Sequence, residues 1–462
     1  MKKSTMLAML LTPAALFADP SVERVIVRQQ WPWSTDVKVE YSLSGVGAAH
    51  PVDISVRAFN DGVELPSANL DAAITGDRYG ITDAVGSLTI DPVKAFGTEQ
   101  VALGSFTVQL SLSASSASTT EVLYKIIDLD NFTEQNVRRA DFMNGKMGDY
   151  ETSFSAIDSS YWTSLSDVLI WTGVTNAPEY KTSKMVLRRI PAKNVTFAMG
   201  NISGAKWSTY CNGTATVTLT NDFYIGVFEV TEAQYKRMTA VNGTHGSSPS
   251  ASGDSYPVGK VSYNALRGAP ANWSDWPADP HCVAANTAIA KLRANMSGRL
   301  FDLPTEAQWE YACRAGTTND TYIGYSVVNA DSLEAKLAEL AWYSGNSDLT
   351  KHIGGLKRPN AFGLYDTLGN MAEHCRDLIS GTGTSTEKNA PNLEGTLTEP
   401  YGMSEGTDAS WNINKRGGYY GCGREKCACQ VRRLNTTRSS AGEYLGFRLW
   451  LLDENDTGSS EQ

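Results

Sequence analysis

The chain has 462 residues, of which 41% are hydrophobic, and its 40 basic and 50 acidic side chains leave a formal net charge of −10. That length exceeds the roughly 250–300 residues at which a single core usually splits, so two domains are the natural expectation. An acidic balance with no basic run excludes nucleic acid or an anionic membrane surface as the expected partner, since both reward clustered Lys and Arg.

Residues 1–18 join a positive start, MKKST, to a short apolar run, MLAMLLTPAALFA, ending at the small Ala18. This is the layout of a bacterial-type secretory signal peptide, too short to span a membrane. No later segment approaches the ~18 consecutive apolar residues of a spanning helix, so an exported chain, periplasmic or secreted and without membrane insertion, is expected. The seven cysteines, Cys211, Cys282, Cys313, Cys375, Cys422, Cys427 and Cys429, are odd in number. In an oxidising compartment that leaves at least one thiol free or intermolecular, and the pairing is not set by the sequence.

Residues 19–129 read as strands. In DVKVEYSLSG, Val37, Val39, Tyr41 and Leu43 alternate with polar residues, and in SFTVQLSLSAS, Phe106, Val108, Leu110 and Leu112 do the same. VDISVRAFNDG keeps the period and ends on Asn60-Asp61-Gly62, a turn signal. Short strands at close spacing, without cysteine, predict a small antiparallel β-sandwich. Residues 130–184, with scattered aromatics including Trp162 and Trp171, read as a connector.

From 185 to 452 the texture changes: Trp, Tyr, Gly and Asn rise and loops dominate. One helix is well signalled in RLFDLPTEAQWEYACRAGT, where Thr305 precedes Gln308 by three residues as in a capping box, and helical residues continue to Gly316. A short polar tail, 453–462, closes the chain. Near its end, RGGYYGCGREKCAC holds three of the cysteines. By themselves Cys422 and Cys427 are open to two readings, a reactive thiol pair or a plain disulfide. The spacing C-x4-C-x-C disfavours zinc. His50, His245, His281, His352 and His374 make no recognisable metal motif, and no Ser-His-Asp elbow, P-loop or dinucleotide fingerprint is present.

Six segments in order, MVLRRIPAKNVTFAMGN, TNDFYIGVFEVTEAQY, YPVGKVSYNAL, RLFDLPTEAQWEYACRAGT, KRPNAFGLYDTLGNMAEHCRDL and RGGYYGCGREKCAC through LGFRLW, resemble the sulfatase-modifying factor superfamily. That superfamily includes the formylglycine-generating enzyme. The resemblance implies an α+β fold, the irregular C-type-lectin-like formylglycine-generating-enzyme fold, following the β-sandwich. It also implies that Cys422 and Cys427 are catalytic, hold copper(I), and with molecular oxygen convert a cysteine of a sulfatase-type polypeptide to formylglycine. Soft thiolates select Cu(I), a dithiol pair can cycle through a disulfide, and Arg424 and Lys426 nearby would favour the thiolate.

The same resemblance implies a disulfide between Cys313 and Cys429, with Cys375 as a competing partner. It implies a calcium site from Asp366, the carbonyls of Gly369 and Met371, and Glu373, where hard oxygen donors suit Ca²⁺. A second calcium site is not expected, because Ala341 or a neighbour stands where a ligand Asn belongs. The chain departs from the family at Tyr419, where the enzyme has a needed serine, and at Ala372 and His374, where it has an aromatic pair; these positions are expected near the same cleft. A second function therefore stands beside the oxidase: a non-catalytic module binding protein or carbohydrate through Tyr419, Tyr420, Arg424 and Trp411, since aromatics and Arg make good contact anchors.

Overall fold

The computed structural model describes residues 19–30, 34–98, 101–152, 169–201, 213–239, 252–268, 281–324, 333–379, 395–400 and 412–453. The signal peptide, Trp162, Cys211, His245, Trp411 and the tail from 454 onward lie outside the described residues. Two compact units emerge, one formed by the chain up to Glu121 with Arg138–Gly148, the other by Val122–Val137 with everything from Asp149 onward.

The first unit contains β1 (Ser21–Gln29), β2 (Val37–Ser44), β3 (Val52–Asn60), β4 (Val63–Glu64), β5 (Ile74–Gly76), β6 (Val85–Ile90) and β7 (Phe106–Ala114). They form two antiparallel sheets, ordered β1-β2-β6-β5 and β4-β3-β7. Alternation along β2 sends Val37, Val39, Tyr41 and Leu43 into one core with Val52, Ile54, Val56 and Ala58 of β3 and Leu88 and Ile90 of β6. Each such apolar side chain, once buried, contributes about 1.5–3 kcal/mol. The Asn60-Asp61-Gly62 signal becomes a two-residue hairpin between β3 and β4. Asp61 and Gly62 both take positive φ, 49° and 80°, as a type I′ turn requires to match strand twist.

Alternation predicts a first domain running to 129, but the chain leaves the first unit at Glu121. The next strand, β8 (Val122–Asp128), is buried over five consecutive residues, the mark of a central strand covered on both faces. It continues into β9 (Thr133–Arg138), β10 (Lys184–Ile190), β11 (Val195–Gly200), β12 (Thr214–Leu219), β13 (Phe223–Gly226) and β14 (Phe301–Asp302). Then follow β15 (Ala372–Ile379), β16 (Thr396–Thr398), β17 (Asn412–Arg416), β18 (Arg433–Thr437), β19 (Leu445–Gly446) and β20 (Trp450–Leu452).

The second unit is thus a mixed α/β body of mainly antiparallel sheets with few helices. Its six-stranded sheet runs β14-β20-β13-β10-β8-β9, beside a three-stranded sheet, β11-β12-β16, and a four-stranded one, β18-β17-β15-β19. The Glu306–Arg314 helix starts as predicted. The Gln308 amide donates to Thr305 Oγ1 (3.1 Å) and the Thr305 amide to Gln308 Oε1 (2.9 Å). Among the described residues no helix is long and apolar enough to cross a membrane.

With so little regular structure, buried ion pairs join the elements. Arg416, at the end of β17, donates to Glu310 (2.9 Å) and Glu306 (3.0 Å) of the helix, while Arg432 also bonds Glu306 and Arg314 bonds Glu310 (2.8 Å). Elsewhere Asp302 of β14 is held by Arg267 (2.6 and 3.0 Å) and Arg293 (3.2 Å). Burial alone would raise the Asp302 carboxyl, but Arg267, His281 and Arg376 outweigh it and hold the group well below its ordinary 3.8. Glu306 is lowered in the same way, Arg432 and Arg416 overcoming burial.

Arg416→Met is expected to destabilise the protein by about 3 kcal/mol in urea denaturation, because buried Glu306 and Glu310 each lose one of their two guanidinium partners. Asp302 and Glu306 titrate lower when folded than when unfolded. Their contribution is therefore complete above the unfolded carboxylate range and is lost as pH falls below about 4. Denaturation midpoints measured from pH 6 downward should fall steeply in that window, and flatten there in Asp302→Asn.

Candidate functional site

The loop from Arg416 to Arg432, between β17 and β18, is built around sulfur. Gly417 and Gly418 take φ of 90° and 78°, a region that favours glycine. A Cβ on Gly418 would sit 2.8 Å from the Lys426 carbonyl and 3.1 and 3.2 Å from the sulfurs of Cys427 and Cys422. Only glycine lets the backbone pass this close to both thiols.

Hydrogen bonds from three directions pin the loop. Gly369 N donates to Gly417 O (2.7 Å), Tyr420 N to Asn370 O (2.9 Å), Ser344 N to Cys422 O (3.0 Å), and Ser347 Oγ to Tyr420 O (2.6 Å). The 3₁₀ turn Arg424–Lys426 then returns the chain so that Cys427 faces Cys422. Their sulfurs lie 3.7 Å apart. A second pair, Cys313 of the helix and Cys429, lies at 3.5 Å. Both pairs, with Cys375, belong to one buried cluster that includes Trp309, Tyr322 and Tyr343. None of the five is joined in a disulfide in this structure.

The two thiols of the first pair differ. Cys422 is lowered, chiefly by its hydrogen bond with Cys427, against burial, and helped by the Tyr419 amide (3.2 Å to the sulfur) and by Lys426. Cys427 is raised by the same hydrogen bond and by burial. Of the two, Cys422 is therefore the thiol that gives up its proton more readily. Cys429 is raised, by burial first and then by Cys313, and burial raises Cys375 as well.

Several expectations are corrected by the geometry. Arg424 does not serve the thiols: its guanidinium bonds Glu334 at 3.0 Å, and Lys426 is the cation felt by Cys422. Tyr420 is buried, its backbone locked by Ser347 and Asn370, so it offers little contact surface. Ala372 pairs with Leu445, and His374 bonds the Val261 carbonyl (2.8 Å), burial pushing its imidazole down to about 4. Ala372 is not part of the hydrophobic cluster that holds the thiols. Sulfur access is also limited, with Cys422 2% exposed and Cys427 0%.

The expected calcium set does not fit an ion. Both oxygens of Glu373 are taken by Arg448 (2.6 and 2.7 Å), and the Trp309 indole N–H adds a third bond (2.6 Å). A carboxylate neutralised by a bidentate guanidinium has little charge left for a metal. Asp366 Oδ2 accepts the Gly355 amide (2.7 Å), leaving only Oδ1 unpartnered among the described residues. Burial pushes Asp366 up to about 6. Beside it Glu229, raised well above its usual value by burial and then by Asp366 and Glu373, accepts the Met371 amide (2.8 Å) and the Asn370 side chain (2.6 Å). No group of three or more His, Cys, Asp or Glu side chains able to hold a metal occurs among the described residues.

The residues missing from the sequence-based site are therefore Arg448, Glu229, Trp309 and Tyr444. The first three stand in the GFR, FEVT and EAQWEY segments and carried a signal. Tyr444, whose ring lies 4.6 Å from that of Tyr419, carried none.

A family model described as the sulfatase-modifying factor enzyme 1-like domain matches residues 177–451. The formylglycine-generating enzyme of Streptomyces coelicolor is 32% identical over 154 residues, 32% of this chain and 45% of that protein. The chaperone protein LppX of Paenibacillus barcinonensis is 31% identical over 193 residues, 34% of this chain and 63% of that one. The formylglycine-generating enzyme of Mus musculus is 30% identical over 154 residues, 32% of this chain and 38% of its own. The chain thus spans about half the length of the curated relatives it matches. Among solved structures, PvdO from Pseudomonas aeruginosa aligns with a TM-score of 0.44 at 21% identity, covering 58% of this chain and 94% of that one. Treponema denticola variable protein 1 aligns with a TM-score of 0.42 at 23% identity, covering 58% and 96%.

With Arg448 in the place a calcium ion would neutralise, millimolar Ca²⁺ and excess chelator should give the same thermal midpoint. Differential scanning fluorimetry checks this; a calcium-dependent rise lost in Glu373→Gln would reverse the assignment.

Proposed function

The chain belongs to the sulfatase-modifying factor enzyme 1-like family, and we propose that Cys422 and Cys427 are its reactive centre, a redox-active dithiol acting on a cysteine of a polypeptide. The observation that carries this reading is the pair itself: two sulfurs 3.7 Å apart, one activated by a backbone amide. Two soft donors at this spacing, one favoured as thiolate, suit copper(I). The thiols would hold that ion, which supplies one-electron chemistry toward molecular oxygen.

The polypeptide's transformation is cysteine to formylglycine, as in the names of the relatives. It consumes O₂ and two electrons from an external thiol, and releases sulfide and water. Within that scheme Tyr419 N–H and Lys426 favour negative charge on Cys422, and the dry surroundings of Trp309 and Tyr343 exclude solvent. Cys313 and Cys429 are the natural partners for a structural disulfide once the protein meets an oxidising compartment. Residues 1–18 would direct export, and the two-sheet first unit would act as a β-sandwich spacer or docking module ahead of the lectin-like domain.

A second reading, a non-catalytic module binding protein or carbohydrate, is favoured by the burial of both sulfurs beside Tyr419.

One experiment separates the two. Reduced protein loaded with Cu(I) is given a cysteine-containing sulfatase-type peptide, while oxygen uptake and aldehyde formation are followed. The oxidase reading expects turnover that falls by roughly 100-fold or more, about 2.7 kcal/mol of barrier, in Cys422→Ser and in Cys427→Ser. Equal inertness of wild type and variants removes it and leaves the binding module, to be tested on glycan and protein arrays with Tyr419→Ala.

A further inference from the structure

We propose that Tyr419, leaning on Tyr444, controls access to Cys422, so that the thiol pair meets a partner only when the two rings part. The purpose of such a gate rests on the redox reading of the pair; its geometry does not.

Neither sulfur is reachable as the structure stands, because Cys422 is 2% exposed and Cys427 is 0%. Tyr419 is half-buried and packs against the cluster that contains both. Its ring lies 4.6 Å from Tyr444 at 30°, and edge-on to Tyr420 at 5.7 Å. Tyr444 is the fixed side of this contact, since Lys415 Nζ stands 4.9 Å over its ring and bonds its hydroxyl at 3.3 Å. Tyr419 stands on a glycine-rich stretch. Gly417 and Gly418 precede it and Gly421 follows. A Cβ on Gly421 would meet the Tyr419 ring at 2.9 Å, so the phenol folds back over backbone that carries no side chain.

Closure and activation are separable at this residue. The bond that polarises Cys422 comes from the backbone N–H of Tyr419, at 3.2 Å. The side chain packs against the cluster that holds the pair, and rotation about χ1 would move the ring without disturbing that bond. A short side chain at 419 would keep the amide and lose the cover. Tyr419 is in this sense a positioning residue through its backbone and an access residue through its ring.

The test is site-resolved alkylation of the reduced, full-length protein with iodoacetamide, read by peptide mapping. The thiolate displaces iodide and forms a thioether, so neither copper nor oxygen takes part. Wild-type Cys422 should label far more slowly than the half-buried Cys282. Tyr444→Ala, which removes one aromatic contact, should speed Cys422 labelling roughly three- to tenfold. Tyr419→Ser should speed it about tenfold or more, and Tyr419→Phe should keep the wild-type rate, because a ring and not a hydroxyl closes the site. Cys313, Cys375 and Cys429 should keep their rates in every variant.

Three outcomes would overturn the proposal: Cys422 labelling in the wild type as fast as Cys282, no acceleration in Tyr419→Ser, or acceleration of all buried thiols together, which would mean general loosening. Gated labelling with an inert oxygen-uptake assay would retire the oxidase and keep the gate. Ungated labelling with active turnover would do the reverse.

Discussion

Everything in the second unit that resembles a site depends on the contact of one guanidinium with two carboxylates. Arg416 is fully buried against Glu306 and Glu310, and burying three charges is costly unless each is paired and hydrogen-bonded. Here Arg432 and Arg314 complete the set, and Arg416 also donates to the Cys429 carbonyl (3.2 Å). The result is directional in a way apolar packing is not. It sets the end of β17 against one helix face, and so sets where the Gly-Gly turn begins. A loop-rich body with few regular elements can hold an irregular segment only through such oriented bonds.

From that start the asymmetry of the thiols follows. The positive-φ glycines turn the chain inward, and the Tyr419 amide donates to Cys422 while Cys427 is fully buried against its neighbour. Two chemically identical side chains thereby take opposite roles, one favoured as anion and one as acid. The hydrogen bond between the two thiols is the largest part of this difference, and the Tyr419 amide and Lys426 add to it on the Cys422 side.

Arg448 plays a similar part beside Trp309 of the helix, whose indole shares Glu373 with it. Its guanidinium reaches Glu373 with two bonds and the carbonyls of Gly226 (2.9 Å) and Tyr365 (3.0 Å) with others. This cation carried by the chain ties β20's approach to β13 and β15 at once. Burial lowers such a group on its own, but Glu373, Glu229 and Asp366 keep it charged. The fold therefore has its counter-ion built in.

Part of this is legible in the sequence. Cys422 and Cys427 stand out through the family resemblance, whereas period-two alternation in β2 and β3 marks the first core, Asn60-Asp61-Gly62 marks a turn, and Thr305 and Gln308 mark the helix start. These are local signals, set by backbone stereochemistry and side-chain period within a few residues. β8 was misplaced because a strand covered on both faces has no alternation to read. The partners of Glu373 and Arg424, the direction of His374 and the cover over the thiols were decided only by tertiary structure. Each depends on which of several equally plausible groups arrives from a distant part of the chain: Arg448 is 75 residues from Glu373, and Glu334 is 90 from Arg424. Sequence spacing carries no information about that choice, since a charge or an aromatic face is satisfied by any suitable partner that packing brings within reach.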